Sequence, residues 1–371
     1  MGKMEGKWVW QGDRWAKFVV DNEQVMPYLL RAVRNVVPLV ALSKELSVDK
    51  LAEFESQILL DETLSTSSIE KEYLDRDSVR SSIARHLGLP NAKQGDKRYE
   101  SFTEVYFESI RTANQPLTER QLKKWHEMLF IEKPVLKPIT IGDYRSDEMA
   151  VVSGHFGRNE IVHFKAPCCH HECVIEYMNQ FFEWLNNGKD FSDYIRAAIA
   201  KFWFVTIHPF DDGNGRLSRI IAERCLAEAD QTDIRLYSIS TEIEQRKSEY
   251  YDILEASQKG SGDLTVWVVW FLKCIEAAAR RSQVRLEKIK FATLFWDEHR
   301  QKVFNERQRK LLIRLLETSD FDDGIAKRKY KNLVSTSDAT AARDLIELVE
   351  MGVLYSEGKG RSVKYYLSEK E

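Results

Sequence analysis

His208-Pro-Phe-Asp-Asp-Gly-Asn-Gly-Arg-Leu-Ser-Arg219 brings a base, two carboxylates, two glycines and two arginines within twelve residues, and the rest of the chain is read outward from it. Upstream, residues 192–207 carry a helical pattern. Ser192 stands at the cap position, and Ile195, Ala198, Ile199, Phe202 and Val205 recur on one apolar face. Downstream, Leu217, Ile220, Ile221 and Cys225 repeat the period, so a second helix is expected from about Gly215 or Arg216. The segment is a helix, a tight loop and a helix N-terminus.

Such a loop binds anions by construction. The first turn of a helix leaves N–H groups unpaired, and the helix dipole puts partial positive charge there. Gly213 and Gly215 allow close backbone approach and positive φ, as a cradle of N–H groups around a phosphate requires. Arg216 and Arg219, three residues apart, can grip neighbouring oxyanions of one polyphosphate. Asp212 can hold a divalent cation, Mg²⁺ by preference, against the same oxygens, and His208 has the intrinsic pKa of a base near neutrality. Base, metal ligand and phosphate clamp together imply transfer of a phosphorus-centred group to a hydroxyl. A Walker-type loop is excluded, because its lysine followed by Ser or Thr is missing and no buried strand precedes the glycines.

The stretch resembles the signature of the Fic family, His-Pro-Phe-x-Asp/Glu-Gly-Asn-Gly-Arg-x-x-Arg, at every defined position. The resemblance implies that His208 deprotonates a Ser, Thr or Tyr hydroxyl of a target protein. The hydroxyl then attacks the α-phosphate of ATP, and AMP is transferred as diphosphate leaves. It further implies that Asp212 holds Mg²⁺, that Gly213, Asn214 and Gly215 form the anion hole, that Arg216 and Arg219 bind the outer phosphates, and that Phe210 anchors the loop. Doc-type relatives, which resemble kinases, carry a lysine where this chain has Gly215, so nucleotidyl transfer is the expectation. Phosphocholine or uridylyl transfer stays open, since the motif grips diphosphate and says little about the rest of the donor.

Far upstream, Thr66-Ser-Ser-Ile-Glu70-Lys71 resembles the family's inhibitory motif, Ser/Thr-x-x-x-Glu-Gly/Asn. The resemblance implies that Glu70 pairs with Arg219 and keeps ATP from binding productively. Lys71 departs from the usual Gly or Asn. Ser67-Ser-Ile-Glu70 also reads as a capping box, with serine at the N-cap of a helix and glutamate three residues on.

Gly142-Asp-Tyr-Arg145 and Met149-Ala-Val-Val-Ser-Gly-His-Phe-Gly-Arg-Asn-Glu-Ile-Val-His-Phe164 read as two short strands about a glycine-containing turn. The pair is similar to the family's flap, which holds a target segment by strand addition, with Val151, Val152, Gly154 and Ile161 as the docking candidates. Tyr250 and Tyr251 match a tyrosine-bearing helix that lines the nucleotide base pocket in the family, and core packing is their simpler explanation. Cys168-Cys-His-His-Glu-Cys173 has crowded ligands and no second Cys/His pair at zinc-finger spacing, which argues against zinc.

The 371 residues carry a net charge of -3 with 30% charged side chains, so no basic field advertises nucleic acid or an anionic membrane. Five cysteines, three of them clustered, are expected to be reduced thiols of a cytoplasmic protein. Residues 1–7 have no apolar signal core, and the longest apolar run, 266–272, is too short to span a bilayer.

The expected fold is mainly α. A helical N-terminal region (1–88) opens with Trp8, Trp10 and Trp15 and carries the inhibitory motif. A Fic helical core with a β-hairpin flap (89–282), a charged linker helix (283–304) and a winged helix (305–371) follow. In the last region, helices are expected over 306–316, 326–333 and a third ending at Gly352, with a hairpin from 353 to 367. Ala-Thr-Ala-x-Arg343-Asp-Leu with Gly358-Lys-Gly-Arg361 resembles the winged helix often fused to Fic domains. That implies duplex DNA as a partner through Arg343, Lys359, Arg361 and Lys364, against the repulsion of Asp338, Asp344, Glu347 and Glu350, and leaves protein docking or dimerisation as the other use of this unit. Two functions follow. One is an autoinhibited, Mg-ATP-dependent protein adenylyltransferase, a homodimer by resemblance and able to modify itself. The other is a DNA-binding regulator whose Fic domain senses nucleotide, which the intact His208 and Arg219 disfavour.

Overall fold

The computed structural model describes residues 8–89, 97–131, 138–155, 158–168, 170–188, 190–317, 321 and 323–368. The chain is mainly helical and divides into two compact units, Met1–Gln283 and Val284–Glu371. In the first unit, α1 (Asn22–Ser43), α2 (Val48–Ile69), α3 (Arg76–His86), α4 (Lys97–Arg111) and α5 (Glu119–Leu129) precede a hairpin of β1 (Ala150–His155) and β2 (Arg158–Lys165). Then come α6 (His171–Asn187), α7 (Asp193–Ile207), α8 (Asn214–Asp230), α9 (Ile239–Gln245), α10 (Lys247–Gln258) and α11 (Thr265–Glu298), inside which the division falls.

The core is built on α7 and α8, which pack along each other. The sequence pattern suggested one apolar face for α7. In fact every residue from 195 to 207 is buried, Lys201 included, as befits a helix surrounded on all sides. The indole of Trp267 on α11 donates to the Ala198 carbonyl at 2.8 Å. Trp15 and Phe18 set their rings edge-on against Trp203 at 6.2 and 5.4 Å, while Trp10 donates to the Lys165 carbonyl at 2.8 Å. The N-terminal tryptophans thus join the segment to the core and to β2.

Helix α2 is held by Leu59 and Leu60, which cluster with Val79, Ile83, Tyr106, Phe107 and Ile110. Its buried Glu62 accepts hydrogen bonds from Ser238 Oγ at 2.7 Å, from the Ser240 N–H at 3.0 Å and from Ser240 Oγ, at the start of α9. The capping-box reading of Ser67 to Glu70 is overturned: Ser67 lies in the last turn of α2, and Glu70 is its C-cap. Serine and glutamate are ambiguous between helix ends, and the helix that runs back from them to Val48 decides for the C-terminus.

Two expectations are corrected. Cys168 and Cys173 form a disulfide, with Cα atoms 5.5 Å apart, because the tight entry into α6 brings them together. Cys225 and Cys274 are free and buried, and Cys169 lies outside the described residues. By length and composition α1 could cross a bilayer, which a search for uninterrupted apolar runs misses because Arg31 and Arg34 break the pattern. Here its Val25, Ala32, Val36 and Leu39 are buried.

The second unit consists of the end of α11, α12 (Glu306–Glu317), β3 (Ile325–Ala326), α13 (Lys327–Val334), α14 (Asp338–Glu350), β4 (Leu354–Glu357) and β5 (Lys364–Leu367). Its antiparallel sheet has the order β3-β5-β4, and β3 is a strand the sequence pattern did not signal. Residues 284–298 continue α11 rather than forming a separate helix. Leu311, Leu312, Ile325, Tyr330, Leu345, Leu348 and Val353 form the core of this unit.

Asp344 points into this core rather than toward solvent. Its carboxylate accepts two bonds from Arg307 at 2.8 and 2.9 Å, one from Tyr330 Oη at 2.9 Å and one from Asn305 Nδ2 at 3.1 Å. Burial by itself raises the Asp344 carboxyl, but these donors hold it below its ordinary value. Asp344→Ala strands the buried Tyr330 hydroxyl and should destabilise the second unit by about 2–3 kcal/mol. A thermal transition of the full chain that does not move on this substitution would contradict that account.

Candidate active site

The reversal between α7 and α8 is made by two left-handed residues. His208 caps α7 at φ 52°, ψ 59°, and Gly213 precedes α8 at φ 80°. A β-carbon on Gly213 would also meet the Phe130 ring at 2.8 Å, so glycine is required twice over. Between them Phe210 is fully buried, its ring stacked on His126 at 4.1 Å. Asn214 closes the loop with its side chain: Nδ2 donates to the Phe210 carbonyl at 2.7 Å, and Oδ1 accepts the Phe210 N–H at 3.0 Å. What Asn214 offers to an anion is therefore its backbone.

His126 on α5 was not found by sequence reading, yet it ties the loop to the chain entering the flap. Its Nδ1 accepts the Gly142 N–H at 3.0 Å, so Nε2 carries the proton and donates to the Asp212 carbonyl at 3.2 Å. A second proton would face the Gly142 N–H. Burial pushes this imidazole down to about 4, with the Asp212 carbonyl pulling the other way. It stays neutral at pH 7.

His208 is also neutral. Its Nδ1 faces the Val205 carbonyl at 3.1 Å and therefore holds the proton, leaving the lone pair on Nε2. Burial pushes the imidazole down to about 4, opposed by the Val205 carbonyl and reinforced by the Arg145 charge. Arg145 is fully buried and donates Nε to the His208 carbonyl at 2.7 Å.

On the other side of the loop stand the two motif arginines. Arg219 is buried on α8; its Nη2 meets Glu70 Oε1 at 2.7 Å, and its Nε donates to Thr66 Oγ1 at 2.6 Å. Thr66, quoted in the motif without a role, thus uses its hydroxyl and its carbonyl on the same guanidinium. Arg216 lies over the Phe130 ring at 4.8 Å and reaches Glu72 Oε2 at 3.4 Å. Each motif arginine therefore faces a carboxylate from the end of α2. Burial alone would raise the Glu70 carboxyl, but Arg219, with lesser help from Arg216 and Lys201, holds it below its ordinary value. The first turn of α8 has no acidic residue of its own, and Glu70 lies so close to Gly215 that a β-carbon there would collide with its carboxylate.

The geometry explains Lys71. Helix α2 ends in a Schellman motif, with the Lys71 N–H on the Ser68 carbonyl at 3.0 Å and the Glu72 N–H on the Ser67 carbonyl at 2.9 Å. That motif needs a left-handed residue, and Lys71 adopts φ 64°. Glycine and asparagine suit the position, whereas lysine costs about 1–2 kcal/mol in this conformation. The same turn directs Glu70 and Glu72 to the two arginines. Lys247 Nζ on the Ser68 carbonyl at 3.0 Å and Tyr251 Oη on the Ile69 carbonyl at 3.4 Å cover the remaining end of α2.

Other candidates separate. Tyr250 is buried, takes Lys201 Nζ on its hydroxyl at 2.8 Å and stacks on Trp270 at 5.6 Å, so it belongs to the core. Tyr251 is half-exposed beside the end of α2. Lys201 was missed because it sits on the buried face of α7, where burial pushes its ammonium well below its ordinary value. Val151, Val152 and Ile161 are exposed on β1 and β2, with Gly154 in β1; the Phe156-Gly157 turn lies outside the described residues. The strands pair antiparallel with irregular register after Val151 and Ser153, and His163 of β2 ties them to Glu255 of α10 at 2.8 Å.

Asp212 is exposed, one carboxylate oxygen taking the Gly213 N–H at 2.6 Å. Among the described residues no group of three His, Cys, Asp or Glu side chains could hold a metal ion alone. A single oriented carboxylate beside a helix N-terminus fits a cation that takes its other ligands from a phosphorylated substrate and water, which is how Mg²⁺ is commonly held.

Residues 116–226 match the family model described as Fic/DOC family, and residues 8–89 match one described as Domain of unknown function (DUF4172). The Protein adenylyltransferase Fic of Aedes aegypti is 34% identical over 101 residues, covering 27% of this chain and 19% of that protein. Its namesake in Drosophila mojavensis is 31% identical over 175 residues, covering 45% and 30%. The chain thus spans between about a fifth and a third of the length of these curated relatives. A Fic family protein from Desulfovibrio desulfuricans G20 shares the fold with a TM-score of 0.51 at 18% identity, over 93% of this chain and 97% of that one. The unbroken motif between α7 and α8 thus lies inside residues 116–226, the segment that matches the Fic/DOC family, on a fold shared with a solved Fic family protein.

Proposed function

We propose that the chain is a protein adenylyltransferase that moves AMP from ATP to a Ser, Thr or Tyr hydroxyl of a target protein and is held inactive by Glu70. One observation carries the reading. Across a single loop, an imidazole nitrogen free to accept a proton stands opposite a helix N-terminus flanked by Arg216 and Arg219. His208 Nε2 takes the hydroxyl proton, the oxygen bonds to the α-phosphorus, and the bond to the bridging oxygen breaks to release diphosphate. The backbone of residues 213–215 and the two guanidinium groups balance the charge that develops. Asp212 would hold Mg²⁺, which when bound neutralises charge on the leaving diphosphate. Relatives named protein adenylyltransferases support this chemistry.

Glu70 occupies Arg219 and the start of α8, the groups an outer phosphate would need, and Glu72 engages Arg216 in the same way. The Glu72 contact is half-exposed and longer, so it contributes at most about 1 kcal/mol, while the Arg219 pair is the principal restraint. The full chain and its Glu70→Gly variant, incubated with ATP, UTP and CTP, should differ in protein mass, with AMP added in the variant and lost again in Glu70→Gly, His208→Ala. Equal labelling of wild type and a folded Glu70→Gly protein would refute the inhibitory role, and labelling that survives loss of His208 would refute the base.

The pH dependence carries a sign. His208 works as a base in its neutral form, and its pKa is pushed down to about 4. The transfer rate of Glu70→Gly should therefore stay level between about pH 8 and pH 5 and drop roughly tenfold per unit below about pH 4. An acid limb at the ordinary histidine value, near 6.5, would show that the imidazole is not buried in the working enzyme.

A second partner is proposed for residues 284–371. Helices α12, α13 and α14 with the sheet β3-β5-β4 support a winged helix; Asp344 is turned inward, and Lys327, Arg328, Lys329 and Arg343 are exposed, against the exposed Asp338 and Glu350 on α14. Duplex DNA should shift the full chain in gels at low salt, weakening steeply as salt rises. Absence of any shift at about 50 mM salt would exclude this partner.

A further inference from the structure

Arg145 ends the Gly142-Asp-Tyr-Arg145 stretch before the hairpin and was given no role of its own, yet its contacts converge on the base. Its own N–H donates to the Pro209 carbonyl at 2.9 Å, Nε to the His208 carbonyl at 2.7 Å and Nη2 to the Ile207 carbonyl at 3.4 Å. One residue thus collects three consecutive carbonyls of the turn in which His208 is left-handed, a conformation that a residue with a β-carbon resists. The rest of the guanidinium serves a second structure. Nη1 donates to the carbonyls of Asp147 at 2.6 Å and Cys168 at 2.9 Å, and Nη2 donates to Pro167 at 2.5 Å. Asp147 lies just before β1, and Pro167 and Cys168 lie just after β2. The buried side chain therefore joins both roots of the hairpin to the backbone of the base.

We propose that Arg145 is a positioning residue for the transfer reaction: it holds His208 in its left-handed turn and sets the β1–β2 hairpin at a fixed distance from the base. The proposal rests on the adenylyltransferase reading, in which a target hydroxyl carried against the hairpin must come within hydrogen-bond reach of His208 Nε2. Proton transfer tolerates little displacement, and a misplacement of about 1 Å can cost about a hundredfold in rate. A planar guanidinium suits the task because its N–H groups fan out to several carbonyls at once, which an ammonium cannot reproduce. The charged groups that bear on His208 are Arg145, Glu70 and Asp212, so removing Arg145 also removes a charge that keeps the imidazole neutral.

The test uses the full chain in the Glu70→Gly background, with Arg145→Gln and Arg145→Lys added singly. Binding of a non-hydrolysable ATP analogue should stay within about twofold of the parent, since Arg145 touches neither motif arginine, while transfer should fall about a hundredfold in both variants. In Arg145→Gln the His208 ring proton signal, followed by NMR against pH, should titrate clearly above its value in the parent, where loss of the Glu70 charge lowers it further. Loss of analogue binding in step with the rate, or an unchanged rate and titration in a protein of unchanged melting temperature, would overturn the proposal. If Arg145→Gln does not fold, Arg145→Lys, which keeps the charge and most of the volume, carries the rate and binding comparison. Failure of the parent to transfer AMP would refute the functional reading, while the His208 titration, which needs no turnover, would still decide whether Arg145 governs the base.

Discussion

Everything in the first unit depends on the reversal between α7 and α8. A helix buried on all sides must end inside the protein, where its last carbonyls and the first N–H groups of its successor cannot simply turn to water. The carbonyls at the end of α7 are taken by Arg145, and the loop is clamped by Asn214 and by the stack of Phe210 on His126. The N–H groups at the start of α8 face a negative group, here the Glu70 carboxylate. Solving the packing problem of two buried helices thus creates the chemical one: a neutral imidazole on one side of the loop and a positive helix end on the other.

That end is filled from within the chain. Helix α2 brings its own C-terminal turn to the start of α8, and the Schellman geometry sends Glu70 and Glu72 to Arg219 and Arg216. The body of α2 is held by the buried Glu62 on the start of α9 and by its apolar cluster with α3 and α4. The final turn carries less. It depends on Lys71 in a conformation lysine disfavours and on a half-exposed Glu72. The contact is tightest at Arg219, where Glu70 and Thr66 share one buried guanidinium.

Residues 208–219 were legible because their chemistry is local: a loop with two glycines, a base and two arginines reads the same in any surroundings. Pairings distant in sequence were not. Nothing near Arg145 indicates that it will collect carbonyls from residues 207 to 209, and nothing near His126 indicates a partner in Phe210. Lys201 hides in a helix whose apolar spacing is otherwise regular. Ser67 to Glu70 misled for another reason, since serine and glutamate favour one helix end by rule and here stand at the other. Tyr250 and Tyr251 are neighbours in sequence, yet one enters the core and the other covers the end of α2.

The sequence by itself determined a mainly helical chain, the helix–loop–helix at residues 208–219, the candidate base and phosphate clamp, and the pairing of Glu70 with Arg219 by resemblance. Tertiary structure decided the tautomer and pKa of His208, the left-handed turn that makes Lys71 a costly residue, the second carboxylate on Arg216, the disulfide at Cys168 and the convergence on Arg145. The physical reason is the same throughout. Side-chain type and spacing specify what a segment can do, whereas burial, hydrogen-bond direction and the field of distant charges exist only once the segments are packed together.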